Sequence, residues 1–159
     1  MTGHLVITTI HTEDAISAID RLRDMGVPPY LIASGLRGVI SQRLLRRICT
    51  SCKNGVCNRP KKSPGTGEKC RIFRGKIYWH GVGCDRCFHS GYRGRIGVFE
   101  VMTIQEGLRR CIMEGADRQK FMEVARKESG YITMAEHAQE MVDKGITTVD
   151  EVIRTLSSL

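Results

Sequence analysis

Two Cys-x-x-Cys pairs, Cys49-Thr50-Ser51-Cys52 and Cys84-Asp85-Arg86-Cys87, stand about thirty residues apart and constrain this chain more than any other feature. A two-residue spacing lets both thiolates of one knuckle reach the same ion, and two knuckles complete the tetrahedral four-sulfur site that Zn²⁺ prefers. With every position filled by sulfur, no coordination site stays open for catalysis, so the metal would staple a segment that lacks a core of its own. A redox-active dithiol is the alternative. Arg47, Lys53 and Arg86 are placed to offset the negative charge of a tetrathiolate, and Gly81, Gly83, Gly91 and Gly94 suit tight turns around the second pair. The cysteine count is seven, an odd number in a chain that opens without a basic-then-apolar leader. That combination argues against a disulfide framework and toward metal or redox use, with a cytosolic protein as the default.

Charge separates the middle of the chain from its ends. Fifteen basic residues and two acids, Glu68 and Asp85, fall between Arg37 and Arg95, a local net charge of +13; the whole chain carries +8, so the remainder is near −5. Within this stretch, Pro60-Lys61-Lys62-Ser63-Pro64-Gly65-Thr66-Gly67 has no periodicity and reads as an insert. Length fits one ordinary domain or two small ones and excludes a two-lobed enzyme of several hundred residues, while a 41% apolar content indicates neither a disordered tail nor a membrane protein.

Hydrophobic patterning supplies the elements. Leu5-Val6-Ile7-Thr8-Thr9-Ile10 is β-branched and nearly continuous, the pattern of a central strand buried on both faces. Thr12 is the expected cap of a helix carrying Ile16, Ile19 and Leu22, which Gly26 before Pro28-Pro29 ends. A second helix is expected from about Tyr30 to Ser41, while Arg43–Ile48 fits either its end or a short strand. Ile96–Met102 reads as a strand. Thr103 with Glu106, Thr133 with Glu136 and Thr148 with Glu151 each fit a capping box, Asp117 fits the cap of a fourth helix, and Gly115, Gly130 and Gly145 stop three of the four.

Other candidates carry less. Cys57 and Cys70 read as loop thiols or alternative ligands, Cys111 as a small buried hydrophobe, and His80 and His89 as loop residues flanking the second knuckle, with metal ligation as their alternative. His4 and His11 bracket the expected strand, with Thr8, Thr9 and Thr12 beside them, where open α/β sheets place ligand contacts or satisfied polar side chains. Gly65-Thr66-Gly67-Glu68-Lys69 fails as a phosphate loop, because Lys69 precedes Cys70 and no flanking strand or helix exists. The basic middle could track nucleic-acid phosphates, or serve as a solvated loop or an interface for an acidic protein surface.

Thr2-Gly3-His4-Leu5-Val6-Ile7-Thr8-Thr9-Ile10-His11-Thr12 resembles the histidine box of the type II secretion and type IV pilus assembly ATPases. The resemblance continues through Asp24-Met25-Gly26-Val27-Pro28, Gln42–Cys49, Gly83–Cys87, Gly91–Glu100 and Gly145–Val152, so it covers nearly the whole chain in order. The cysteine pairs point to the secretion and pilus-extension branch, away from the retraction branch.

The resemblance implies an α/β fold: the C-terminal portion of a RecA-like P-loop ATPase sheet over residues 1–48, a tetracysteine zinc-binding segment over 49–95, and a helical subdomain over 96–159. It implies that His4 and His11 act catalytically near the nucleotide phosphates, that Thr8 and Thr12 lie close by, and that Cys49, Cys52, Cys84 and Cys87 hold zinc. ATP and Mg²⁺ would bind only in a full-length hexameric motor, since the phosphate loop and the acidic Mg²⁺ motifs of the family are absent here. The partners implied are the other subunits of a homohexamer and an inner-membrane platform protein, at the cytoplasmic face, with no membrane insertion and no nucleic acid. The reading from a different class is a free-standing basic zinc module that binds nucleic acid.

Overall fold

Gly26, with φ +82°, and the Pro28-Pro29 pair set the first boundaries of the structure, because a left-handed residue ends one helix and a proline at the first helical position opens the next. The computed structural model describes residues 3–56 and 78–157; Cys57, Cys70 and the Pro60–Gly67 insert lie outside the described residues. Helices α1 (Ala15–Asp24) and α2 (Pro29–Gly35) precede strand β1 (Gly38–Ile48). Strands β2 (Lys53–Val56) and β3 (Tyr78–Gly81) follow, then a short 3-10 turn (Asp85–Cys87) and strand β4 (Tyr92–Thr103). Four helices close the order: α3 (Glu106–Glu114), α4 (Arg118–Ser129), α5 (Met134–Asp143) and α6 (Val149–Leu156). β1 pairs with β4 and β2 with β3. The first pair is antiparallel, since Ile104 N–H donates to Arg37 C=O at one end (2.9 Å) and Cys49 N–H to Gly91 C=O at the other (3.0 Å).

The residues group into two units, one built from the chain up to Gln42 with Phe99–Met134, the other from Arg43–Val98 with the chain from Ala135 onward. In the first unit, Ile16 and Ile19 of α1, Ile32 of α2, Met102 of β4, Leu108 and Ile112 of α3 and Phe121 of α4 form one buried cluster. Each such side chain contributes about 2 kcal/mol by leaving water. At the centre of this unit, Glu100 is only 3% exposed and its carboxylate accepts from three donors. These are the N–H of Ala15 at the start of α1 (3.1 Å), the N–H of Met134 at the start of α5 (3.4 Å) and the Tyr131 hydroxyl. A carboxylate at two helix starts satisfies orphan amides and favours both positive helix ends. Burial, reinforced by Glu100, pushes the Tyr131 hydroxyl above its ordinary pKa, so it stays a donor.

The cap of α1 is Asp14, which accepts from Ser17 N–H (2.8 Å) and pairs with Arg118; Thr12 instead donates to the Asp14 carbonyl (3.1 Å). Thr103 does not cap α3, because it is the last residue of β4 and the helix begins three residues later. Glu128 of α4 serves in its place, accepting from the N–H groups of Gly107 (2.8 Å) and Leu108 (3.3 Å). The second expected helix ends at Gly35, and Gly38–Ile48 is all strand. The central strand expected over Leu5–Ile10 is absent: these residues take no helix or strand, and Leu5, Val6 and Ile7 are 77%, 78% and 89% exposed. A strand buried on both faces needs neighbours along its edges, and no described strand pairs with this segment.

In the second unit, Leu45 and Ile48 of β1, Val98 of β4 and Ala138, Met141 and Val142 of α5 are buried beside Glu151 of α6. Thr148 caps α6 by accepting from Glu151 N–H (3.1 Å), the backbone half of the expected capping box. The Glu151 carboxylate turns elsewhere. It accepts from Arg154 Nε and Nη2 (2.9 and 2.6 Å) and from Arg46 N–H, Nε and Nη2 (3.1, 2.9 and 2.6 Å). The Arg46 guanidinium also lies over the Tyr92 ring, 4.2 Å from its centre, while the Tyr92 hydroxyl meets Thr148 Oγ1 at 2.7 Å. Burial works against the Glu151 charge, but the Arg154 and Arg46 donors outweigh it and bring its pKa from 4.5 to about 2.

A carboxyl whose pKa is lower in the folded state stabilises the fold above its unfolded pKa and loses that contribution as pH falls through the folded value. The Glu151 contribution should therefore be intact near neutrality and fade between about pH 4.5 and 2. Urea titration should find Glu151→Ala less stable by about 3 kcal/mol at neutral pH, because two guanidiniums lose their buried partner. The gap from the parent should narrow in the acid range; a constant gap would show that packing, not charge, sets it.

Candidate metal centre

The sulfurs of Cys49, Cys52, Cys84 and Cys87 all lie within 4.8 Å of one another, the one such cluster of potential metal ligands among the described residues. Local turns aim them. In the first knuckle Cys52 N–H donates to Cys49 C=O (3.3 Å); in the second, Cys87 N–H donates to Cys84 C=O (3.0 Å) and Cys84 N–H to Cys87 Sγ (3.2 Å). β2 follows the first knuckle and pairs antiparallel with β3, which precedes the second, with Lys53 opposite Gly81 and Val56 opposite Tyr78. Val82 N–H then closes onto Cys52 C=O (3.1 Å).

Two glycines allow the knuckles to meet. A Cβ on Gly81 would stand 2.0 Å from Gly91 O, and one on Gly91 would stand 2.5 Å from Gly81 O, so both must lack a side chain. Gly91 also has φ +76°, where an L side chain is strained, and its carbonyl accepts the Cys49 N–H. Arg86 Nη1 donates to Ser51 Oγ (3.3 Å), a polar tie between the two knuckles, while Lys53 lies over the Trp79 ring, 4.4 Å from its centre.

The sulfur spacing fits a bound metal and is longer than a disulfide bond. Sγ separations are 3.9 Å for Cys49–Cys84 and 3.8 Å for both Cys52–Cys87 and Cys84–Cys87. A tetrahedron with metal–sulfur bonds of about 2.3 Å has sulfurs ~3.8 Å apart, whereas a disulfide needs about 2.05 Å. Protonation follows the same logic. Burial raises the Cys87 pKa, but the N–H groups of Cys84 and Gly91 outweigh it and bring it down to about 6. Burial and the neighbouring thiols push Cys52 up to about 12. Four thiols this close cannot all ionise without a cation among them, and a divalent metal is the species that lets them.

The remaining candidates are not members of the four-cysteine cluster. His89 Nε2 is 3.2 Å from Asp85 Oδ1 and points at a carboxylate, not at the sulfurs. His80 sits in β3 opposite Asn54. His4, Thr8 and His11 are exposed and Thr12 half-buried, on the segment before α1 that has no regular structure. Cys111 is buried in the first unit at 2% exposure. Sequence reasoning missed the anchoring carboxylates Glu100 and Glu151. The inward alternation Val98, Glu100, Met102 along β4 is the signal that would have revealed the first.

Protein purified without chelator should carry close to one Zn²⁺ per chain, measured by plasma emission. Cys84→Ser should loosen the segment between Cys49 and Arg95 in hydrogen exchange while leaving α3 and α4 protected. Gly91→Val, which alters no ligand, should lower the metal content as severely; full retention would show that the knuckles do not need the close approach.

The description "Type II/IV secretion system protein" matches residues 1–154. The type II secretion system protein HxcR of Pseudomonas aeruginosa is 40% identical over 154 residues, covering 97% of this chain and 29% of the relative. The type IV pilus assembly ATPase PilB of Thermus thermophilus is 40% identical over 153 residues, covering 96% of this chain and 17% of the relative. The type II secretion system protein E of Dickeya dadantii is 37% identical over 155 residues, 97% of this chain and 30% of the relative. The chain thus spans a third or less of the curated relatives it matches, and with its mixed helices and strands and its four-cysteine cluster it belongs to the type II/IV secretion system protein family.

Proposed function

We propose that this chain is the C-terminal module of a hexameric motor ATPase that powers protein secretion or pilus extension, with zinc held by Cys49, Cys52, Cys84 and Cys87. The observation that carries the reading is the family match over residues 1–154, with relatives that include a type IV pilus assembly ATPase. By function, residues 1–48 would complete a RecA-like sheet, 49–95 form the zinc segment and 96–159 the helical subdomain. The exposed apolar run of Leu5, Val6 and Ile7 supports the first assignment, since such a run is stable in the company of further strands.

In the assembled motor, His4 and His11 approach the nucleotide phosphates and the neighbouring subunit, with Thr8 and Thr12 beside them. An imidazole there donates a hydrogen bond to charge that develops on the transferred phosphoryl group, which acts mainly on the transition state. ATP and Mg²⁺ bind through residues of the longer protein, because these 159 residues contain no Gly-x-x-x-x-Gly-Lys-Ser/Thr motif. Zinc supplies rigidity only. The module works at the cytoplasmic face, peripheral to the inner membrane, against the other subunits and a membrane platform protein; no described helix is long and apolar enough to cross a bilayer.

The chain alone should show no ATP turnover above background in a phosphate-release assay. In the full-length protein, His11→Ala should lower kcat by about a hundredfold or more while changing nucleotide affinity far less. Turnover by the isolated chain that vanishes in His11→Ala would overturn the division of labour.

A further inference from the structure

The second knuckle carries a feature that metal binding does not use. Phe88 follows the 3-10 turn in the left-handed conformation (φ 50°, ψ 44°), with its N–H bonded to Asp85 C=O (3.2 Å), and its side chain is 92% exposed. A bulky side chain is disfavoured in that backbone region, and a lone phenyl ring gains nothing from water. Local propensity and burial therefore both argue against phenylalanine at this tip. Such double disagreement is expected where a residue serves contact with something else.

Phe88 lines an open depression with Asp85 and Arg86 of the turn, Arg93 of β4, Ser90 and the half-buried Tyr92. Arg93 and, two residues on, Arg95 are both exposed, and neither meets a carboxylate among the described residues. Described residues 43–56 and 78–98 hold seven basic residues (Arg43, Arg46, Arg47, Lys53, Arg86, Arg93, Arg95) against the single acid Asp85, and only Arg46 is neutralised by Glu151.

We propose that this face docks an acidic segment of a partner protein, with an apolar side chain of that segment packed on Phe88 and its carboxylates on Arg86 and Arg93. Charge complementarity selects the occupant: an aromatic anchor flanked by arginines is the composition of protein interface centres. A nucleic-acid track is disfavoured because the Tyr92 ring is already covered by Arg46, which leaves Phe88 as the open aromatic of the depression, one stacking face where a single strand uses successive ones. The proposal does not depend on the motor reading.

The test is selection of a phage-displayed random peptide library on the zinc-loaded chain, followed by calorimetric titration of the recovered synthetic peptides. The expected peptides combine Asp or Glu with an apolar residue. Phe88→Ala, and separately Arg93→Glu, should weaken them by about thirtyfold, and high salt should weaken them further. Zinc content equal to the parent's verifies that each variant folds, and Arg93, six residues from the nearest ligand, keeps the test valid if Phe88→Ala alters the knuckle. Recovery of no peptide, peptides without acidic residues, or affinities unchanged in both folded variants would overturn the proposal. So would tighter binding of single-stranded oligothymidylate than of any peptide, lost in the same variants.

Discussion

The backbone crossing of Gly81 and Gly91 is the constraint on which the second unit depends. Two knuckles from distant parts of the chain bring four sulfurs within 4.8 Å only because neither glycine has a side chain at the crossing. Between Cys49 and Gly91, the buried apolar residues among those described are Cys49 and Cys87, both ligand candidates. Burial of a few side chains at about 2 kcal/mol each cannot order such a stretch, whereas a structural zinc contributes on the order of 10 kcal/mol. A metal held there would replace a core, and the Gly91 carbonyl would pass its order on to β1 by accepting the Cys49 N–H.

Two buried carboxylates extend the same economy of long-range ties. Glu100 joins β4 to the first amides of α1 and α5, and Glu151 joins α6 to β1 through Arg46. Both are almost wholly buried, at 3% and 1% exposure. Their presence exchanges some hydrophobic stabilisation for directional bonds, which fix which helix start faces which strand residue. Removing either partner leaves buried charge or amides unmatched, so these positions should tolerate substitution less well than the aliphatic residues around them.

The four-cysteine cluster was legible in the sequence because the spacing within each pair is local and the residue type rare. Asp117 as the cap of α4, the turns at Gly115 and Gly130 and the burial of Cys111 were legible for similar reasons: each depends on the nearest turn of chain. What sequence reading missed depends on distance. Thr103 offers a good cap, yet its backbone is committed to β4, and a carboxylate more than twenty residues away does the work. Gly38–Ile48 contains glycine and arginines that weaken a strand pattern, yet pairing with β4 decides it.

Leu5–Ile10 shows the opposite failure, and it bears most directly on function. Its composition is that of a strand buried on both faces, and composition is a statement about the environment a segment is built for, not about the neighbours present. Here three of its apolar side chains face solvent, and His4 and His11 stand on the same open segment. A catalytic group needs its position fixed to within about half an ångström. Nothing described around these histidines supplies that, so any precision they have in catalysis must come from surfaces that cover the apolar run. The four-cysteine cluster shows the contrasting case: its sulfurs are brought together by bonds within the described chain, which is why the spacing alone pointed to it.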